Sequence, residues 1–345
     1  MTAPARYNVA IVGVTSVVGE TILSLLAERD FAIDTLYAVD FAEAADGRVE
    51  FRDTYTQLHN LADFDFSRVN LAFFCAGEEI AALHAPRAVA AGCVVIDDSA
   101  QFRYQDDVPL VVPEVNPQAV GRYRQCGIIA NPNSCATLLL VALKGIYDAV
   151  GVERINVATY QAVSGTGKAA MDELASQTMS IFNMKGVTKK VYPKQIAFNV
   201  LPVIGEVLEN GYTREEMKML WETRKILGDE TIQVNASCVR VPVFFGHSQA
   251  VHIETRDKIT AAVASKLLQK SPGVKLVDQR KAGAFPTAVT EAVGADSVYV
   301  GRVREDLSHP RGLDLWIVAD NVRKGAALNS IQIAEILVKD YLSLV

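Results

Sequence analysis

YNVAIVGVTSVVGETILSLLAE, residues 7–28, decides the fold class. Tyr7–Val12 is a continuous apolar run rich in β-formers, the pattern of a strand buried on both faces. Gly13-Val14-Thr15-Ser16-Val17-Val18-Gly19 follows as a turn of small residues. Glu20–Glu28 then sets Ile22, Leu23, Leu25 and Leu26 at helical spacing. Strand, small turn and amphipathic helix make the first half of a βαβ unit. Such a turn lets backbone approach a phosphate while the helix start aims free N–H groups at it. The spacing departs from GxGxxG, so a plain tight turn stays open beside the binding role. In the binding role, Gly13, Thr15, Ser16, Val17, Val18 and Gly19 line a cofactor.

Working outward, Leu36–Asp40, Leu71–Cys75 and Cys93–Ile96 read as strands, and Glu78–Ala91 as a helix. The alternation predicts an α/β fold with a doubly wound parallel sheet whose strand C-termini face the ligand. Asp40 closes the second strand, where a carboxylate accepts from a ribose 2′-hydroxyl and repels a 2′-phosphate. NAD is expected over NADP on that ground, with an exposed strand-end Asp as the plain alternative. Gly77, just after the third strand, joins the cofactor set.

After Pro132 the pattern changes. Ala136–Val150 reads as a helix, Arg154–Gln161 as a strand and 163–167 as a loop. Ser237–Phe245 and Ala250–Thr255 alternate like strands of a mostly antiparallel sheet. The stretch from Ala326 is helical, with an apolar face suited to packing back on the first domain. The expected division is 1–130, 131–322 and a C-terminal helix in 323–345.

The chain has 345 residues, half of them hydrophobic, which suits about two domains with real cores. With 34 basic and 40 acidic side chains the formal charge is −6, which disfavours nucleic-acid and anionic-membrane partners. No apolar run of about 18 residues suggests a membrane span, and no export signal precedes the first strand. The five cysteines form no CxxC pair, so neither a disulfide framework nor a metal site is expected. A cytoplasmic protein is the expectation.

Five segments together resemble the aspartate-semialdehyde dehydrogenase family. They are IDDSAQFR (96–103) running into VPLVVPEVN (108–116), IIANPNSCAT (128–137), ATYQAVSGTGKAA (158–170), CVRVPVFFGHSQAV (238–251) and GLDLWIVADNVRKGAALNSIQIAE (312–335). The resemblance implies a Rossmann-type domain followed by an α+β catalytic and dimerisation domain, assembled as a homodimer. It also implies a reaction: a thiolate attacks aspartate semialdehyde, hydride leaves to NADP, and phosphate cleaves the thioester to aspartyl phosphate. By the same resemblance, Gln161 and His247 are catalytic. Arg240 grips the substrate carboxylate and Glu215 its amine. Arg103 and Lys218 hold phosphate, Asn133 joins that set, and Gly165 lies with the cofactor.

The chain departs from the family at the nucleophile. Asn131-Pro132-Asn133 is followed by Ser134, where the family has cysteine, and Cys135 comes one residue later. A helix turns about 100° per residue, which aims Cys135 away from Gln161 and His247. Ser16 replaces a turn glycine, which narrows the approach to a pyrophosphate. Residues 40–46 carry three acids and no Arg to grip a 2′-phosphate. Asp98, Ala100 and Gln101 replace an Asn-Ser-Ser-Ala type run, and Gln249 stands where Glu is frequent. Retained anion-binding groups with an altered nucleophile most resemble the USG-1-type paralogues. The leading expectation is therefore reduced or lost dehydrogenase activity, with cofactor binding itself left open. The alternatives are an active NAD(P)-dependent enzyme using Cys135, or an acyl-transfer or hydrolytic enzyme pairing Ser134 with His247.

Overall fold

Seven strands build the sheet of the N-terminal part. The computed structural model describes residues 6–41, 47–279 and 281–342. Up to Pro132 the elements are β1 (Tyr7–Val12), α1 (Val17–Glu28), β2 (Ile33–Asp40), β3 (Arg48–Phe51), β4 (Thr54–Asn60), β5 (Leu71–Phe74), α2 (Glu78–Ala90), β6 (Val94–Asp97) and β7 (Ile128–Ala130). The strand order is β3-β4-β2-β1-β5-β6-β7, parallel throughout except for the β3–β4 hairpin. β1 and β5 are apolar on both faces because helices cover both, as a parallel sheet requires. The chain from Ala326 belongs to this unit. Its helix, Leu328–Asp340, sets Leu328, Ile331, Ala334 and Leu337 into the same core as Val9, Leu25 and Phe73. The order reverses beside β1, so the ends of β1, β2 and β5 form the switch point where ligands bind.

Asn133–Gly325 forms a second unit. It carries α3 (Ser134–Val150), β8 (Val152–Gln161), α4 (Lys168–Phe182), α5 (Arg214–Leu227), β9 (Gln233–Arg240), β10 (His247–Thr255), α6 (Ala261–Lys270), β11 (Val274–Leu276), β12 (Val298–Glu305) and β13 (Gly312–Ala319). The sheet order is β11-β12-β13-β10-β8-β9. Three pairings are antiparallel, while β8–β9 and β11–β12 are parallel, so the sheet is mixed rather than simply antiparallel. β9 stops at Arg240, short of the expected Phe245; Val241-Pro242 follows, and proline cannot donate to a ladder. β10 begins at His247 and alternates strictly, with His247, Gln249, Val251, Ile253 and Thr255 inward. α3 covers that inner face. The outer face, with Tyr160, Asn235, Ser237 and Trp316, is exposed or half-buried. Among the described residues no helix is long and apolar enough to cross a membrane.

Candidate active site

The predicted residues gather in two groups, one inside each unit. In the first, the Gly13–Gly19 turn is tight. Gly13 has φ 81°, and a side chain on it would press on Ala76. A Cβ on Gly19 would lie 2.2 Å from the Gly13 carbonyl, so only glycine lets α1 start this close to β1. Ser16 is the N-cap, and its hydroxyl accepts from the Gly19 N–H at 3.0 Å, which is why the helix begins at Val17 rather than Glu20. Gly77 has φ 92° with open space around a hypothetical Cβ, so its backbone angle selects glycine.

Asp40, expected as a ribose acceptor, also has a structural task within the turn. Its Oδ2 accepts from the Thr15 N–H at 2.9 Å and the Thr15 hydroxyl at 2.8 Å, and Oδ1 accepts from the Phe41 N–H. The carboxylate is buried and braces the turn from behind. The segment 42–46, read as unsuited to a 2′-phosphate, lies outside the described residues. Beyond β6, Arg103 is buried and donates to the Asp98 carbonyl at 2.8 Å. Asn131 donates to the Asp98 carboxyl at 2.6 Å. Burial raises Asp98 to about 7 against the pull of Arg103 and Asn131, and raises Asp97 to about 6.

In the second unit the sheet register assembles the site. His247 on β10 lies beside Gln161 on β8, because Ser248 pairs with Tyr160, and Gln161 pairs with Arg240 on β9. All three are buried, so His247, Gln161 and Arg240 form one row across the inner face. The next row is Gln249, Thr159 and Cys238. The start of α3 is seated there: Gln249 Nε2 donates to the Cys135 carbonyl at 2.9 Å. Asn133 caps α3, its Oδ1 accepting from the N–H groups of Cys135 and Ala136.

Glu215 joins these groups. Its Oε1 accepts from Asn133 at 2.8 Å and Gln161 at 3.2 Å, and Lys218 is 3.3 Å from its other oxygen. Burial pushes this carboxyl up, but Lys218, the two amides and Arg240 outweigh it and hold it below its ordinary value. Arg240 donates to the Ala162 carbonyl at 2.6 Å, while its buried Nε has no partner. No ion pair joins Arg240 to a carboxylate among the described residues. A buried guanidinium without a counter-ion is a place prepared for an anion.

His247 Nδ1 accepts from the Ala162 N–H at 3.1 Å. Burial, then Arg240, push its pKa well below the ordinary imidazole range. It is therefore neutral near pH 7, and the hydrogen bond at Nδ1 assigns its proton to Nε2. Such a ring donates from Nε2; it does not take a proton there. Among the described residues no carboxylate is hydrogen-bonded to the ring. Gly165 lies against Arg240 and His247: a Cβ on it would sit 3.2 Å from Arg240 Nη1 and 3.5 Å from His247 Nε2. It borders Arg240 and His247 within the second unit.

Ser134 is half-buried at the first position of α3, and a Cβ on Gly325 would lie 2.7 Å from its own Cβ. Cys135 is fully buried. The charges of Glu215 and Arg240 both act on its thiol. Burial pushes the thiol well up, and Cys238 and Glu215 add to this; Arg240 and a hydrogen bond with Ser134 oppose it. Sequence reasoning missed Glu222, whose carboxylate accepts from the Asn133 N–H at 2.6 Å. The signal was the spacing of Glu215, Met219, Glu222 and Ile226, one inward stripe of α5. It also missed Gly325. Among the described residues no cluster of three His, Cys, Asp or Glu side chains is placed to hold a metal.

Two family descriptions match the chain: "Semialdehyde dehydrogenase, NAD binding domain" over residues 8–123, and "Semialdehyde dehydrogenase, dimerisation domain" over 143–324. A Legionella pneumophila protein named aspartate-semialdehyde dehydrogenase is 55% identical, covering 98% of this chain and 97% of its own. The chain belongs to the aspartate-semialdehyde dehydrogenase family. A second member, aspartate-semialdehyde dehydrogenase 2 of Vibrio cholerae, is 52% identical over 97% of this chain and 99% of its own. A crystal structure titled aspartate semialdehyde dehydrogenase II complexed with ASA, from Vibrio cholerae, superposes with a TM-score of 0.96 at 51% identity, covering 98% of this chain and all of that one. These aspartate-semialdehyde dehydrogenases confirm the α/β first domain and the C-terminal dimerisation domain. They do not place the chain with USG-1-type paralogues.

Proposed function

We propose that this chain is an aspartate-semialdehyde dehydrogenase working through Cys135: it converts aspartate semialdehyde and phosphate to aspartyl phosphate, as a cytoplasmic homodimer. The carrying observation is the buried, unpaired Arg240 in one row with Gln161 and His247, beside a Glu215 poised by Lys218 and Asn133. Arg240 takes the substrate carboxylate and Glu215 its ammonium, which fixes the aldehyde relative to the start of α3. As the Cys135 sulfur bonds to the aldehyde carbon, its thiol proton ends on the aldehyde oxygen and the Nε2–H of neutral His247 donates to that oxygen as negative charge develops there; the hydroxyl proton goes to solvent when the thioester forms. Gln161 holds Glu215 in place and faces the same row. Lys218 receives phosphate, which then cleaves the Cys135 thioester and frees the thiol. The outer face of the second sheet suits a second copy.

The turn at Gly13–Gly19 fits a nicotinamide dinucleotide: its glycines bring backbone close, and Thr15, Val17 and Val18 stand at the start of α1. When bound, that group accepts the hydride. With Asp40 spent on Thr15, preference for NAD over NADP is carried only by the acids around residue 43.

Burial of Cys135 favours a second reading, a scaffold that binds substrate with little or no turnover. Phosphate-dependent nicotinamide reduction with aspartate semialdehyde decides between them. The dehydrogenase reading requires turnover by wild type, its loss in Cys135→Ala and its survival in Ser134→Ala. A silent wild type establishes the second reading.

A further inference from the structure

A cavity of about 470 Å³ in the second unit, within the size range of small-molecule sites, shares no residue with the site above. It lies between the segment after β11 and the middle of β12. Its rim is basic although the chain's formal charge is −6: Lys281, Arg302 and Arg304 all line it and all are exposed. Asp278 is the one acid among the described lining residues. Its two oxygens accept the backbone N–H groups of Arg302 and Val303, at 2.7 and 3.1 Å. Arg304 stands 3.5 Å from Asp314 and donates to the Arg302 carbonyl. Neither Lys281 nor Arg302 forms an ion pair among the described residues.

The walls are fixed before any ligand arrives. β12 shifts register between Gly301 and Arg304, and Arg302 sits there at φ 56°, a left-handed conformation that a long side chain rarely adopts. A bulge of this kind re-aims a side chain, and the Asp278 carboxylate holds it in place. The facing wall is pinned to the same strand. Val277 donates to the Val300 carbonyl at 2.8 Å. Gly301 lets this segment close in, since a Cβ on it would lie 2.5 Å from both the Val277 carbonyl and the Pro286 ring. Trp316 Nε1 donates to the Pro286 carbonyl at 3.0 Å. Phe285, next in the chain, lines the cavity with 47% of its surface exposed, and Ala282 and Ala284 line it too.

We propose that this cavity binds a nucleoside monophosphate, its phosphate on Lys281 and Arg302 and its base stacked on Phe285. Two cations without a counter-ion match a phosphate dianion, and a guanidinium grips it in bidentate fashion. A half-exposed aromatic ring in the same cavity offers a flat base its face. The small alanines beside that ring leave the base room. The proposal rests on this cavity alone, so direct binding tests it whether or not the chain is an active dehydrogenase.

Calorimetric titration of the full-length protein with uridine monophosphate, uridine and inorganic phosphate reads it. The monophosphate binds more tightly than inorganic phosphate, and uridine binds least. Arg302→Asn removes the charge with a residue that tolerates the left-handed backbone, and it weakens the monophosphate about tenfold. Lys281→Gln, at an exposed position, weakens it severalfold and keeps the test open if the bulge does not accept Asn. Phe285→Leu removes the stacking face and weakens the monophosphate about fivefold, leaving inorganic phosphate unchanged. Monophosphate affinity equal to that of uridine, or untouched by both Arg302→Asn and Lys281→Gln, overturns the proposal. Affinity untouched by Phe285→Leu overturns the stacked base.

Discussion

α1 and α3 both begin right after strands of the parallel sheet, and they are finished in opposite ways. At α1, Ser16 takes one N–H and Asp40 braces the turn from behind, so the first residues of the helix stay half-buried and approachable. At α3, Asn133 takes two N–H groups, Glu222 takes that of Asn133, and Glu215 takes its amide. Cys135, Ala136 and Thr137 are then fully buried. The positive end of a helix ordinarily lowers a thiol's pKa. Here burial and the nearby Glu215 act against it, and Cys135 is left a protonated thiol. The α1 start is left approachable, as the proposed dinucleotide role requires; the α3 start is held by side chains on every side.

The largest effect comes from restoring a thiol at the approachable position of α3. Ser134→Cys is expected to raise kcat/KM for aspartate semialdehyde by about a hundredfold, the scale on which misplacement of a reacting group of about 1 Å is felt. No gain, with the variant folded and binding substrate, breaks the comparison, because the start of α3 then does not face the aldehyde.

Next comes the clamp. Glu222→Ala leaves the Asn133 N–H buried without an acceptor, which costs about 1–3 kcal/mol. Urea denaturation checks this, and the loss should accompany faster alkylation of Cys135 as the first turn loosens. A stability unchanged within error means that the turn is held by Asn133 alone.

These elements also show what the sequence could reveal. β1, α1 and β5 were legible because a parallel strand buried on both faces is a continuous apolar run. The hairpin β3–β4 and the strand β12 were not read, since half-exposed strands carry a weaker signal. Arg103, Gln161, Arg240 and His247 came from the family resemblance, and the juxtaposition of the last three in the second unit from register across β10, β8 and β9, which no local pattern encodes. Asp40 was visible as a strand-end carboxylate, but its partner Thr15 lies 25 positions away and only the folded turn shows the pairing.

Asp40→Ala tests the α1 side. Losing the acceptor for Thr15 and Phe41 is expected to cost about 1–2 kcal/mol in stability. It should weaken NAD and NADP by the same factor, as measured by quenching of protein fluorescence, because the turn itself shifts. Selective weakening of NAD restores the ribose role and makes the α1 start a specificity element.

The smallest effect separates the buried carboxylates of the two units. Glu215 is held below its ordinary value, whereas Asp98 is raised to about 7 and Asp97 to about 6. A carboxyl raised in the folded protein binds its proton there while the unfolded chain has already released it. Its contribution is therefore complete at acid pH and is lost as pH rises through the folded value. Between about pH 5 and about pH 8, wild-type stability falls with a slope set by both aspartates. Asp98→Asn keeps the acceptor for Asn131 and removes one titration, so its curve is flatter and the variant gains on wild type toward pH 8. Glu215→Gln shows no such gain, because a carboxyl held low contributes its stability above its unfolded value and loses it only in acid. Parallel curves for wild type and Asp98→Asn mean that Asp98 is ionised throughout, and the contrast between the two units then rests on their helix starts alone.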